Sequence, residues 1–439
     1  MAVQIPFATI SKVHQDAVVD DVFFTGLLQQ CQVDLAAPQW LVDIRNSAKN
    51  WLSGLSVPTR KDEDWRFIDL SSLTAGKFVT SSNTVRTFGE TPISKTECSR
   101  LVFINGVYSS ELSDISQVST GAYVGSITDL PKHLDAAKYF AQQPGTDAFT
   151  ALNTAGGNEV TVIWTDKNTV VEKPIHLVFI ADGETEASFV QPRTLVVAET
   201  GSSVSLIEEY TGTGEYFTNA VTEVFVENNA KVDHTRLQQE SDASYHIGKT
   251  AVSQMRDSSY TISEINLGAK LCRHNPELWQ QGEQTTTNLN GLTVATGEQT
   301  SDTHSIVALS QPYGTTNQLH KCIVSDRAHT VFNGKVFVPK EAQQTDATQL
   351  NRNLMLSPKA RVDTKPELQI TADNVKCAHG ATVSQLEAEE IFYLRSRGLS
   401  ENDANQLLID AFAAEIIDRL PLESLRNKIT QTIEQKVKL

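Results

Sequence analysis

From about residue 160 to about residue 383 the chain is written almost entirely as short strands. Examples are "VTVIW", "IHLVFIAD", "TLVVAE", "SVSLIEEY", "AVTEVFVE", "KVDHTRLQ", "YTISEINLG", "KVFVPK" and "RVDTKPELQIT". Most are bounded by Gly, Asn, Asp or Ser, residues that end strands and open turns. A small or polar residue followed by an apolar one recurs at Ser203-Val204, Lys231-Val232 and Ser259-Tyr260. That interval of roughly 28 residues lies in the range of stacked repeats. A sandwich or barrel would also give many short strands. The region is long for one sandwich, however, and tight two-residue hairpin signals are few. The pattern favours a mainly β chain whose coils stack into a parallel β-helix, each burying its inward side chains against its neighbours.

The flanks read differently. "FFTGLLQQCQ" and "WLVDIRNSAKNWLSGL" space apolar residues three and four apart, and Gly54 and Pro58 then stop the helical run. "RLVFINGVYSS" is a strand entering a turn at Asn105-Gly106. The pair Gly156-Gly157 closes a helix. After Val383 the pattern is helical. Ser384 with Glu387 forms a capping box, Gly398 ends that helix, and Ser400 caps the next with Asp403 supporting it. Beyond Pro421, Leu425, Ile429, Ile433 and Val437 form one stripe. Three regions result: an N-terminal helical and mixed region over 1–158, the β-helix core over 159–383 and a C-terminal helical domain over 384–439.

Charge and cysteine usage narrow the function. The net charge of −16 opposes nucleic-acid and anionic-membrane partners and suits proteins or cations. Cys31, Cys98, Cys272, Cys322 and Cys377 are scattered and form no C-x-x-C, so reduced thiols in a cytosol-like compartment are expected. A closed local set of metal ligands is not. "MAVQIPFATISKVHQD" shows no basic region followed by an apolar core, and Asp16, Asp20 and Asp21 come early, so neither a secretion signal nor a transit peptide is expected. No apolar run approaches membrane-spanning length.

Four stretches invite a chemical reading. "SYHIGKT" resembles the tail of a phosphate-binding loop, but Ala243 stands where glycine is needed and no helix follows, so a turn between coils is expected and no nucleotide. His304, His320 and His329 sit in strand-like segments, with His320 and Cys322 on one face; scattered polar positions on a solenoid explain them. "PTRKDEDWRFIDL" reads as an amphipathic surface segment. Cys377 and His379, two apart on an extended stretch, leave the same face. A thiolate beside an imidazole suits soft or borderline metals, and a protonated His379 or nearby Lys376 would lower the thiol pKa. Two ligands cannot close a tetrahedral site, so the pair implies an open or shared one. The alternative is a buried cysteine and a histidine bonded to backbone.

Several motifs in one order carry a family resemblance. They are F-N-G-K at Phe332 to Lys335, Q-Q-T-D-A at Gln343 to Ala347, N-R-N-L at Asn351 to Leu354, D-T-K-P at Asp363 to Pro366 and F-Y-L-R-S-R-G at Phe392 to Gly398. They resemble the SufB/SufD family of iron–sulfur cluster assembly proteins, densely from Phe332 to Gly398, and "PTRKDEDWRF" resembles the family's N-terminal motif. K-C-x-H-G at Lys376 to Gly380 is more similar to the SufD branch, because SufB-like chains carry a glutamate-histidine-glutamate arrangement there and further cysteines upstream. The resemblance implies a right-handed parallel β-helix between helical regions and a non-catalytic scaffold role. It also implies a heterodimer with a SufB-like paralogue and a SufC-like ATPase held by the C-terminal helices. It implies a transient iron–sulfur cluster at the subunit junction, with His379 as ligand and Cys377 as helper; reduced flavin in the complex and a homodimer of the isolated chain are left open. The expected compartment is the cytoplasm, or the plastid stroma for an organellar form. The rivals are a SufB-like cluster scaffold, a structural partner with no metal ligand and an extracellular β-helix carbohydrate enzyme.

Overall fold

The computed structural model describes residues 21–31, 37–80, 93, 96–142, 147–157 and 159–437; the opening segment from which a leader was judged lies outside them. The strands stack in two parallel ladders. The first runs through Ser99–Ile104, the start of Ile175–Val190, the start of Ser203–Val226, then Lys231–Gln239, Ser259–Asn266, Thr286–Ala295, Thr315–Val324, Asp346–Met355 and Lys376–Ser384. The second runs through Thr161–Thr165, Arg193–Ala198, the end of Ser203–Val226, then Tyr245–Gln254, Leu271–Gln280, Thr300–Leu309, His329–Val338 and Arg361–Ile370. One coil contributes one strand to each ladder, giving a parallel solenoid of about eight turns. Ser203, Lys231 and Ser259 stand in register, as do Val204, Val232 and Tyr260, so the interval in the sequence is the length of a coil.

A recurring corner sets that length. Asn229, Asp257, Gln284, Tyr313 and Gln344 all have positive φ, between 56° and 62°. Each stands two positions before a first-ladder strand begins. A left-handed non-glycine residue costs on the order of 1 kcal/mol or more. The stacking offsets it: each of these N–H groups donates to a carbonyl of the following coil, on Arg256, Glu283, Pro312, Gln343 and Asn374 respectively.

The inward face is divided along its length. Val204, Val232, Tyr260, Val252, Leu278, Val307 and Val336 belong to one apolar core cluster. Beside it runs a polar row. Glu208, Arg236, Glu264, Gly291, His320, Asn351 and Ala381 are successive register partners. The buried charges are paired, as interiors require. Glu208 meets His234 at 3.1 Å, Glu264 meets His274 at 3.0 Å, and Glu240 meets His246 at 2.7 Å.

The flanks dress this spine. Asn105 and Gly106, both with positive φ, turn the antiparallel hairpin Ser99–Ile104/Val107–Asp114. The helices Val22–Gln30 and Ala148–Gly156 bring Phe24 and Phe149 into a buried cluster with Trp65, Phe78 and Phe217. The glycine closure of the second is at the expected place, though Gly157 is extended rather than left-handed. The acidic segment is more than an amphipathic surface. Asp64 accepts from Lys335 Nζ at 2.7 Å and its carbonyl from Arg273 at 2.6 Å, while the Arg273 guanidinium lies 3.9 Å from the Trp65 ring centre. It straps successive coils together.

At the other end Glu401–Ile417 and Glu423–Lys436 lay Ile409, Ile416, Leu425, Ile429 and Ile433 on Leu237, Ile265, Leu292 and Ile323 of the first ladder's outer face. Ser400 caps the first of these, accepting from the Asp403 N–H at 3.1 Å, and Gly398 is left-handed at +98°. The capping box at Ser384 does not form. Ser384 finishes the last strand and donates to the Asn353 carbonyl at 3.3 Å, and the helix Ala388–Ser396 starts after Glu387 with no side-chain cap. Solenoid pairing reaches further than the capping signal allowed. Among the described residues no helix is long and apolar enough to cross a membrane.

Candidate functional site

The solenoid is open at its C-terminal end. All ten residues of Leu271–Gln280 are buried, none of Arg361–Ile370 is, and seven of the nine in Lys376–Ser384 are exposed. The final strand lies on Asp346–Met355 in unbroken register. Cys377 and His379 pair with Ala347 and Gln349, both buried inward residues of the preceding coil. The two side chains therefore continue the inward face of a coil that no further coil covers. Cys377 is half-buried against the apolar core, and His379 is exposed.

The thiol is not activated by its neighbours. Burial pushes the Cys377 pKa up, against a backbone hydrogen bond with Ala347, and the Asp346 carboxylate adds to the rise. The expected lowering by Lys376 or an imidazole is absent. A positive charge brought up to it would be needed to favour the thiolate. Beside it stands the exposed His379 imidazole, and among the described residues no group of three or more His, Cys, Asp and Glu is placed to hold a metal ion.

The other sequence candidates do not join the pair. His304 is on the outer face beside Asp64 at 3.4 Å, His329 meets Asp363 at 2.7 Å, and His320 is interior, 3.2 Å from the Thr293 hydroxyl and stacked on Phe332. Cys272 and Cys322 are interior too; burial drives the first thiol far up and the second to about 12. Cys31 is held at about 11 by burial, and Cys98 is raised by the same cause. "SYHIGKT" is neither phosphate loop nor turn: it enters the strand Tyr245–Gln254, where Lys249 is buried and paired with Glu277 at 2.8 Å. Sequence reasoning missed the internal row of Glu208, Arg236 and Glu264. Its signal was present, since the three stand at the coil interval, but charged residues in a strand read as outward-facing.

Likeness to known proteins agrees with this architecture. Residues 179–412 match the SUF system FeS cluster assembly SufBD core domain, and residues 23–177 match the SufBD protein N-terminal region. The chain belongs to the SufBD family. It is 46% identical over 442 residues to an iron–sulfur cluster assembly SufBD family protein of Synechocystis sp., covering 97% of each. It is 36% identical to the chloroplastic protein ABCI7 of Arabidopsis thaliana, covering 96% of this chain and 92% of that one. It is 33% identical to the iron–sulfur cluster assembly protein SufD of Escherichia coli, covering 87% of this chain and 89% of the relative. This SufBD protein is therefore an assembly component of the SUF system.

Proposed function

We propose that this chain is the SufD-type subunit of a SUF assembly complex, a non-catalytic scaffold that lends ligands to a cluster it does not hold alone. The observation that carries the proposal is the placement of Cys377 and His379 on the inward face of the last, uncovered coil. A SufB-like paralogue covers that coil and supplies the remaining cysteine ligands. The nascent iron–sulfur cluster, the cargo of the complex, is held by His379 with Cys377 assisting. Shared coordination suits a cluster that must leave, because four thiolates on one chain would retain it. A likeness to the SufD protein of E. coli supports this side of the family.

The ATPase partner, SufC-like, docks on the C-terminal helices. Support comes from Ala388–Ser396, which buries none of its residues and leaves Phe392 75% and Tyr393 57% exposed. Aromatic anchors of this kind dominate protein interfaces. ATP-driven movement of two such ATPases pulls on the helical ends and favours an open junction, which requires contacts that differ between the two states. The complex works in the cytoplasm, or in the plastid stroma for organellar forms, in line with the chloroplastic relative. The test is reconstitution with iron and sulfide. This chain alone should hold no stable cluster, whereas its complex with the paralogue should show the absorption of one. A stable cluster on the isolated chain would make it a SufB-like scaffold instead.

A further inference from the structure

The register row that ends at His379 changes character along the solenoid. It runs Leu206, His234, Ile262, Leu289, Gln318, Gln349 and then His379. Two buried amides, 5% and 1% exposed, thus precede the histidine where leucine and isoleucine stood before. Packing alone does not call for them, because a buried polar atom left without a partner is destabilising by about 1–3 kcal/mol.

Their hydrogen bonds run in one direction. Gln318 Nε2 donates to Ser305 Oγ at 2.8 Å, and Gln349 Nε2 donates to Gln318 Oε1 at 2.8 Å. Gln349 Oε1 is left buried with no donor. Gly334 keeps this amide in place: a Cβ there would come within 2.2 Å of Gln349 Nε2. The next residue in the row, on the same face and roughly 5 Å along the ladder, is His379.

We infer that Gln349 is a positioning residue for His379: its orphaned Oε1 accepts the imidazole N–H. That bond fixes which ring nitrogen carries the proton and turns the other lone pair outward, toward a metal at the junction. Outer carbonyls commonly orient metal-binding histidines in this manner. Ser305 and Gln318 act behind it: Ser305 accepts from Gln318 Nε2, which turns Gln318 Oε1 to take the Gln349 N–H, so an acceptor is what Gln349 presents. The inference rests on the proposed role of His379, and its test is separable from that role.

The full chain, labelled with nitrogen-15 in histidine, is measured metal-free by NMR, with His379 assigned through its loss in His379→Ala. The wild type should show one neutral tautomer with a ring N–H resonance protected from exchange. Gln349→Met should lose that resonance, and Gln349→Glu, which keeps an acceptor, should retain it. In the assembled complex Gln349→Met should weaken iron(II) binding about 10- to 100-fold. A wild-type ring that exchanges freely between tautomers overturns the inference, and so does a protected N–H that survives in Gln349→Met. The wild-type spectrum decides even if a variant fails to fold. Undiminished cluster assembly in His379→Ala would instead remove the role proposed for that histidine and leave the tautomer result standing.

Discussion

Asp64 is the residue through which the N-terminal segment grips the solenoid. Hydrogen bonding with His304, and then the charges of His304 and Lys335, hold its carboxyl well below the usual range despite burial. Asp64→Asn should lower stability by about 1–3 kcal/mol, because it leaves Lys335 and His304 with a weaker partner on a half-buried face; urea denaturation measures it. Gly291 has a different duty. A Cβ there would lie 2.0 Å from His320 Nδ1, so the glycine makes room for the ring. Gly291→Ala should cost roughly 1–3 kcal/mol by overpacking, read as a fall in melting temperature. The residue proposed to lend a ligand, His379, is exposed, so its replacement should change the melting temperature little.

The elements divide into those the solenoid holds and those it leaves free. The interior polar row is held, and it makes stability depend on pH. Burial lowers the pKa of His246, His274 and His320, and that of His274 falls to about 4. These rings stay neutral in the folded chain where the unfolded chain, with ordinary histidines near pKa ~6.5, takes up protons. Stability should therefore fall as pH drops from about 6.5 toward 4, by roughly 3 kcal/mol for His274 alone. Below about 4.5, Glu208, Glu240 and Glu264, all lowered in the fold, extend the loss. Urea midpoints at pH 7.5 and 5.0 compare a point above that window with one inside it; equal midpoints would contradict it. The helix Ala388–Ser396 is free. Phe392→Ala with Tyr393→Ala should leave the melting temperature unchanged and abolish co-purification of the ATPase, a loss of about 30-fold or more per anchor.

The coil interval was legible because Val204, Val232 and Tyr260 repeat a hydrophobic demand that only stacking satisfies. The helical stripe from Leu425 to Val437 was legible for the same reason. The end of the last strand was not, since local capping chemistry at Ser384 competes with a ladder partner 30-odd residues away, and the ladder wins. The charged interior was missed although Glu208, Arg236 and Glu264 repeat at the coil interval, because alternation alone does not tell which parity faces in. The pairing of Cys377 with His379 on one face followed from spacing. That the face is open followed from neither residue, but from the absence of a further coil over Lys376–Ser384.

At the scale of the whole molecule, the chain is a spine of coils whose first strands, Ser99–Ile104 and Thr161–Thr165, have antiparallel partners, whose side is packed with helices and whose last coil is left bare. The unfinished end carries Cys377 and His379, the two proposed ligands, and the free helix stands next to it in sequence. In the proposed arrangement a partner that completes the solenoid also completes the ligand set, which would couple assembly of the complex to assembly of the cluster. The decisive measurement is anaerobic reconstitution of the complex of this chain, its paralogue and the ATPase with iron and sulfide, comparing wild type with His379→Ala at equal subunit content. Cluster absorption in the variant should fall at least tenfold while the complex stays intact; equal cluster content in both would contradict the account.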